Sequence, residues 1–165
     1  MKPIEAPDSH HLSAAQGWLE LGNPLEADKE LDHITPKLRT HPDFLEVRWH
    51  ISAHKKEWTV CLEIAQTILK LDPNRPDAWI HRSFALHELK RTQEAFDQLL
   101  AASGKFSEVW TIPYNLACYC AQLGQLEECR TWLNKAMAID QETVKRVAAD
   151  DPDLKPFRDS TEGRP

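Results

Sequence analysis

Residues 114–129 read YNLACYCAQLGQLEEC, and three of the chain's four cysteines stand at positions 118, 120 and 129 within it. They pose a choice between a metal or redox centre and thiols that fill small slots in packed helices. Register decides it. Cys129 stands 34 residues after Ala95, which stands 34 after Cys61, which stands 34 after Ala27. Two more columns keep the same step without a gap: Leu31, Ala65, Leu99 and Leu133, then Ile34, Ile68, Ala102 and Ala136. Spacing of i, i+4, i+7 inside each repeat is the buried stripe of one helix. Gly124, inside the quoted stretch, has counterparts at Gly22, Lys56 and Lys90. A residue there must end one helix and let the chain reverse, which glycine does at little cost in a left-handed conformation.

Before each break comes another helical stretch, seen as DAWIHRSFALHELK at 77–90, with Trp79, Leu86 and Leu89 at helical spacing. Pro42 and Pro76, one period apart, open such helices where a missing N–H does no harm. Two antiparallel helices per period, four times over, predict an all-α helical solenoid across residues 8–143. In that register Cys61 and Cys129 share a small, apolar column with Ala27 and Ala95 and read as small hydrophobes. Cys120 shares an inward column with Trp18, Ser52 and Leu86. Cys118, two residues earlier, points about 200° round the helix from it, so the two cannot hold one ion. A helical CxC also lacks the tight turn of a zinc knuckle. Cys118 is expected on an open face and easier to label than Cys129.

Composition excludes several classes. At 165 residues the chain is one domain of ordinary size. Its net charge of -6 comes with no Lys/Arg run, so the basic stripe that phosphate contacts require is missing and nucleic acid is not an expected partner. The N-terminus MKPIEAPDSHH has no apolar core of a signal peptide, and no apolar run approaches the roughly 18 residues of a membrane span. A cytoplasmic protein with reduced cysteines and no membrane partner is expected. Five isolated glycines make no phosphate-cradling loop, and neither HExxH nor GxSxG occurs. Paired acids such as Glu127 with Glu128 and Asp150 with Asp151 fall at helix starts or turns, where carboxylates suit the helix dipole. No catalytic residue, enzyme activity or cofactor is expected.

These residues resemble the tetratricopeptide repeat (TPR), and the ending resembles those of small bacterial TPR proteins. Trp79, Ala95 and Ala102 carry the likeness in the third unit, Pro73 of LDP in the second, and Leu116, Gly124 and Ala136 in the fourth. Departures are His11 at a tryptophan position, Pro36 near the end of a second helix, and Arg48 and Arg82 where the family favours leucine. The resemblance implies a right-handed solenoid with repeats at 8–41, 42–75, 76–109 and 110–143. An N-terminal extension would occupy 1–7, a C-terminal cap built on Val144, Val147, Ala148, Leu154 and Phe157 would occupy 144–157, and a flexible tail 158–165. Arg48 and Arg82 share a column and are expected to pair with Glu63 and Asp97, which share another.

By the same resemblance, the first helix of each pair lines a concave, partner-binding groove. Its expected residues are Leu12, Gln16, Glu46, His50, His54, Ile80, Phe84, His87, Tyr114 and Cys118, with Phe84 and Tyr114 as aromatic anchors worth about 2 kcal/mol each on truncation. The implied function is a non-catalytic adaptor that binds a peptide or helix of another protein. One subset of the family clamps a chaperone's C-terminal carboxylate. The matching positions here are Leu12, Gln16, Val47, Asp77 and His81, or one repeat on Glu46, His50, His81, Thr111 and Asn115, and neither set is cationic. Two other readings stand beside the adaptor. One is a metal- or small-ligand-binding face of His50, His54 and His87, with Glu46 or Glu88 as a fourth ligand. The other is a solenoid that self-associates into a homo-oligomer through its apolar columns.

Overall fold

The computed structural model describes residues 2–160, which hold helices, turns and, among the described residues, no strand. The chain divides into two compact units, Met1–Ala78 and Trp79–Pro165. The first unit contains α1 (Asp8–Glu20), α2 (Pro24–Asp32), a 3-10 turn (Pro36–Leu38), α3 (Pro42–His54) and α4 (Trp58–Leu71). The division falls within α5 (Pro76–Glu88), and the second unit continues with α6 (Thr92–Ser103), α7 (Thr111–Gln122), α8 (Leu126–Ile139) and α9 (Gln141–Ala148). A second 3-10 turn (Pro152–Leu154) and the short α10 (Lys155–Asp159) follow.

All four break positions are left-handed: φ is 71° at Gly22, 57° at Lys56, 64° at Lys90 and 76° at Gly124. Each makes the same pair of main-chain bonds. The N–H of Gly22 donates to the Leu19 carbonyl at 2.9 Å, and that of Asn23 to Trp18 at 2.8 Å. Lys56 and Glu57 donate to Ala53 and Ser52, Lys90 and Arg91 to His87 and Leu86, Gly124 and Gln125 to Ala121 and Cys120. This is the Schellman closure, which satisfies orphan carbonyls of the ending helix while it turns the chain back.

Within the first unit α1 packs on α2 and α3 on α4, while α1 and α2 both meet α3. Leu12, Ala15, Ala27, Leu31, Ile34, Phe44, Val47 and Ile51 form its core, with Ile4, Trp18, Leu19, Leu38 and Leu45 packed against it. In the second unit α7 packs on α6 and α8, α8 on α9, and α10 on α7. The small column Ala27, Cys61, Ala95 and Cys129 is fully buried throughout. Close helix approach leaves room there for a methyl or a thiol and little more; Cys61 Sγ also makes a weak donation to the Trp49 carbonyl at 3.8 Å.

The departures from the repeat pattern have local explanations. α2 stops at Asp32, and Pro36 opens a 3-10 turn instead of extending it. Thr35, between them, donates its N–H to Asp8 Oδ1 at 2.5 Å and its hydroxyl to Asp8 Oδ2 at 3.0 Å. That backbone hydrogen bond holds the Asp8 carboxyl below its usual range. His11 stacks on His33 with ring centroids 5.0 Å apart and its Nδ1 lies 2.8 Å from Glu30 Oε2, so an imidazole pair replaces the tryptophan.

The arginines depart from expectation. Arg48 pairs with Asp28 on α2, not with Glu63, and lies over the Phe44 ring. Arg82 lies over the Trp79 ring, 4.8 Å from its centroid, and donates to the Gln98 carbonyl instead of pairing with Asp97. One column therefore has two partners, because the residue one period after Asp28 is Leu62. The end of the chain differs too. α10 runs to Asp159, and Arg158 donates from one guanidinium nitrogen to the Ala148 carbonyl at 2.8 Å and the Asp151 carbonyl at 2.7 Å, so Arg158 is tied down where a flexible tail is expected. The remainder of that expected tail, 161–165, lies outside the described residues.

Candidate functional site

In the first unit, the helices expected to face a partner are α1 and α3. Leu12 is buried at the floor, Gln16 is exposed one turn on, and His50 and His54 are exposed along α3. Glu46 is half-buried, with its carboxylate 3.7 Å from His50 Nε2. A recess of about 400 Å³ opens between Leu12, Gln16, Asp43, Glu46, Arg75 and Asp77. Arg75 closes an ion pair with Asp43 at its rim. The face thus presents imidazoles, an amide and carboxylates over one apolar residue, groups that can donate and accept hydrogen bonds.

In the second unit the expected residues meet a different fate. Ile80 and Phe84 are half-buried on α5, whereas Tyr114, Cys118 and His87 are 6%, 4% and 6% exposed. The segment Asp151–Phe157 lies over them. Tyr114 donates its hydroxyl to Asp151 Oδ2 at 2.5 Å, and Cys118 Sγ lies 3.8 Å from the same oxygen. Asp151 Oδ1 accepts the Asp153 N–H at 2.9 Å and so caps its own 3-10 turn. Gln122 donates to the Asp153 carbonyl at 2.8 Å. His87 Nε2 faces Asp153 Oδ2 at 3.4 Å, its Nδ1 meets Thr92 Oγ1 at 3.0 Å, and its ring lies 5.1 Å from that of Tyr119. Leu154 and Phe157 are buried beside them.

Tyr114 is therefore no solvent-facing anchor, and Cys118 is no open thiol. The cause is α7 itself: TIPYNLACYCAQ carries no charge in its twelve residues, and nine of them, on all sides of the helix, are buried. A helix that is apolar all round has to be covered. The expected cap carries Leu154 and Phe157, and the apolar α7 is the signal for where it lies; Asp151, Asp153 and Gln122 were not marked out by the repeat register.

Burial governs the thiols. It pushes Cys61 and Cys120 up to about 11 and Cys129 up to about 12. Cys118 rises well above the ordinary thiol value, first through burial and then through the Asp151 charge. The Tyr114 phenol rises too, through burial and its donation to Asp151. Thiolates are scarce in such surroundings, so these cysteines are poor nucleophiles. Of the histidines expected as metal ligands, His87 has both ring nitrogens facing partners within its own unit.

Helix pairs closed by a repeated left-handed turn, each with a small-residue slot, define a class: the all-α helical solenoid of tetratricopeptide-repeat type. Particular solved structures share it. PilF of Pseudomonas aeruginosa is 18% identical, with 92% of this chain and 72% of that one covered at a TM-score of 0.73. MamA of Desulfovibrio magneticus RS-1, a TPR-like protein, is 21% identical, with 85% and 79% covered at 0.69. A further MamA structure is 12% identical, with 84% and 81% covered at 0.70. No family model and no curated protein matches the chain. Among the described residues, no helix is long and apolar enough to cross a membrane.

Proposed function

We infer that the protein is a non-catalytic, cytoplasmic scaffold that binds a peptide or helix of another protein through the first helices of its repeats. The contact residues on the first unit are Gln16, His50 and His54, with Leu12 and Glu46 beneath them; on the second they are Ile80 and Phe84. What supports this reading is the polar, shallow face of α1 and α3, which offers hydrogen bonds and an apolar floor on a repeat fold that has no other obvious use for them. His87, Tyr114 and Cys118 take part only through the segment that covers them.

The test is recovery of binding proteins from the source cell's extract by the immobilised parent and by a Gln16→Ala, His50→Ala, His54→Ala variant with unchanged helical circular dichroism. A partner held by the parent should bind the variant about tenfold more weakly. Equal recovery by both would remove the face from the function.

A further inference from the structure

The covering segment behaves as a ligand would. Its hydrogen bonds to α7 start from side chains of that helix, the Tyr114 hydroxyl and the Gln122 amide, with the Cys118 thiol adding a weak third, and the His87 imidazole of α5 lies 3.4 Å from the Asp153 carboxylate. These groups converge on two carboxylates and one carbonyl, all within Asp151–Asp153. The main-chain bonds of the segment stay local, from Leu154 to Asp151 and from Ser160 to Phe157. Its buried apolar side chains are Leu154 and Phe157, the latter with Arg130 of α8 over its ring, while Pro152, Lys155 and Pro156 between and beside them are exposed, as are Ala149 and Asp150 that follow α9. A short segment held by two apolar side chains and a few side-chain hydrogen bonds, those of Arg158 joining it only to itself and to the end of α9, sits at the low-stability end of a fold. It also lies over Tyr114 and Cys118, the fourth-repeat members of the columns that carry Leu12 and Gln16 in the first unit.

We propose that the α5–α7 face of the second unit is a receptor for an acidic turn of the form Asp-Pro-Asp-Leu with a phenylalanine three residues on, occupied here by residues 151–157, and that a partner protein bearing such a turn displaces them. This deepens the scaffold reading and rests on it for the existence of a partner. The chemistry is particular: the Tyr114 hydroxyl and the His87 imidazole meet the two carboxylates, the Gln122 amide meets the Asp153 carbonyl, the proline-opened 3-10 turn sets their spacing, and leucine and phenylalanine supply the apolar part. A segment tethered in place taxes any outside ligand by the fraction of time the face stands open.

The probe is a fluorescein-labelled peptide of sequence DDPDLKPFR, followed by anisotropy against the full chain. The parent should bind it weakly, and a Asp151→Ala, Leu154→Ala double variant, crippled in the segment and intact in the receptor, at least about tenfold more tightly. Adding Tyr114→Phe and Gln122→Ala should abolish that gain, as should the peptide DNPNLKPFR. A folded double variant that binds no better than the parent would overturn the proposal, and so would equal affinity for the two peptides. If the double variant does not fold, the parent decides by thiol exchange: Cys118 should be modified faster than Cys129, because opening the segment uncovers only Cys118. Equal rates at every denaturant concentration would make the segment an integral part of the fold and overturn exchange. Parent chains that pair through this segment, seen as a doubled molar mass in light scattering, would put a second copy in place of the partner and overturn that assignment. Binding of the peptide is read on α5 and α7, so it stands or falls separately from the extract experiment on α1 and α3.

Discussion

Lys56 and Lys90 hold the left-handed backbone that Gly22 and Gly124 hold at the other two turns. A side chain there pays a steric cost between its Cβ and the next carbonyl, so Lys56→Gly or Lys90→Gly should raise stability by about 0.5–1 kcal/mol. Gly124→Ala should lower it by about 1 kcal/mol, although nothing lies within 4 Å of the added carbon, because the strain is in the backbone. Urea denaturation measures both; a Lys56→Gly protein weaker than its parent would contradict the left-handed assignment. Asp28 supplies the residue-scale pH dependence. Burial pushes its carboxyl up, but the hydrogen bond from Lys55 at 2.7 Å and the Arg48 charge outweigh it, and the group titrates below the ordinary range. A carboxyl whose folded pKa is depressed stabilises fully above its unfolded value near about 3.9 and loses that contribution as pH falls through the folded one. Asp28→Asn should therefore melt below the parent at pH 7, and the gap should close towards pH 3. A gap independent of pH would show that Asp28 acts through packing instead. The break positions were legible as a column of Gly and Lys. The partners of Arg48 and Arg82 were not, because a salt bridge depends on which acid a neighbouring helix brings near, and that acid need not repeat.

At the scale of the element, the second helices follow their apolar columns closely, since a buried stripe at i, i+4, i+7 dictates which side of a helix turns inward. Ala95 on α6 is fully buried in its slot. Ala95→Trp should overfill it and cost about 2 kcal/mol or more, visible as a lower melting temperature; a variant that melts like its parent would break the register on which the fold rests. First helices were harder to read. α7 carries the same columns as α3, yet one is covered where the other is open, and repeat position alone cannot tell them apart. What distinguishes them is charge: α3 has Asp43, Glu46 and Arg48 among its residues and α7 has none. The cap over the last repeat was legible in Leu154 and Phe157; its hold on Tyr114, Cys118 and His87 was not, because it is made by side-chain tips from positions 87, 114 and 122, which only the fold assembles.

For the whole molecule, the class of fold was legible from a period repeated four times, since stacked units need only keep their contact columns. The expected partner faces could be written as columns and not as surfaces, because exposure depends on what lies outside the repeats. The engaged His87 sets one global expectation. Dialysis against EDTA should shift the melting temperature by less than about 2 °C, the size of a perturbation worth well under 1 kcal/mol in a chain of this length. A fall of many degrees would restore a histidine-held metal.

The four reversals are closed by main-chain bonds alone, and the two glycines among them have open space where a side chain would project. Lys56 and Lys90 project into solvent at the equivalent places. The chain thus carries attachment points at equal intervals along its sequence, one in each turn, whose side chains take no part in closing the turn. A dye, a spin label or a crosslinker fixed at Lys56 and Lys90 would report on the repeats they join while leaving the packed columns undisturbed.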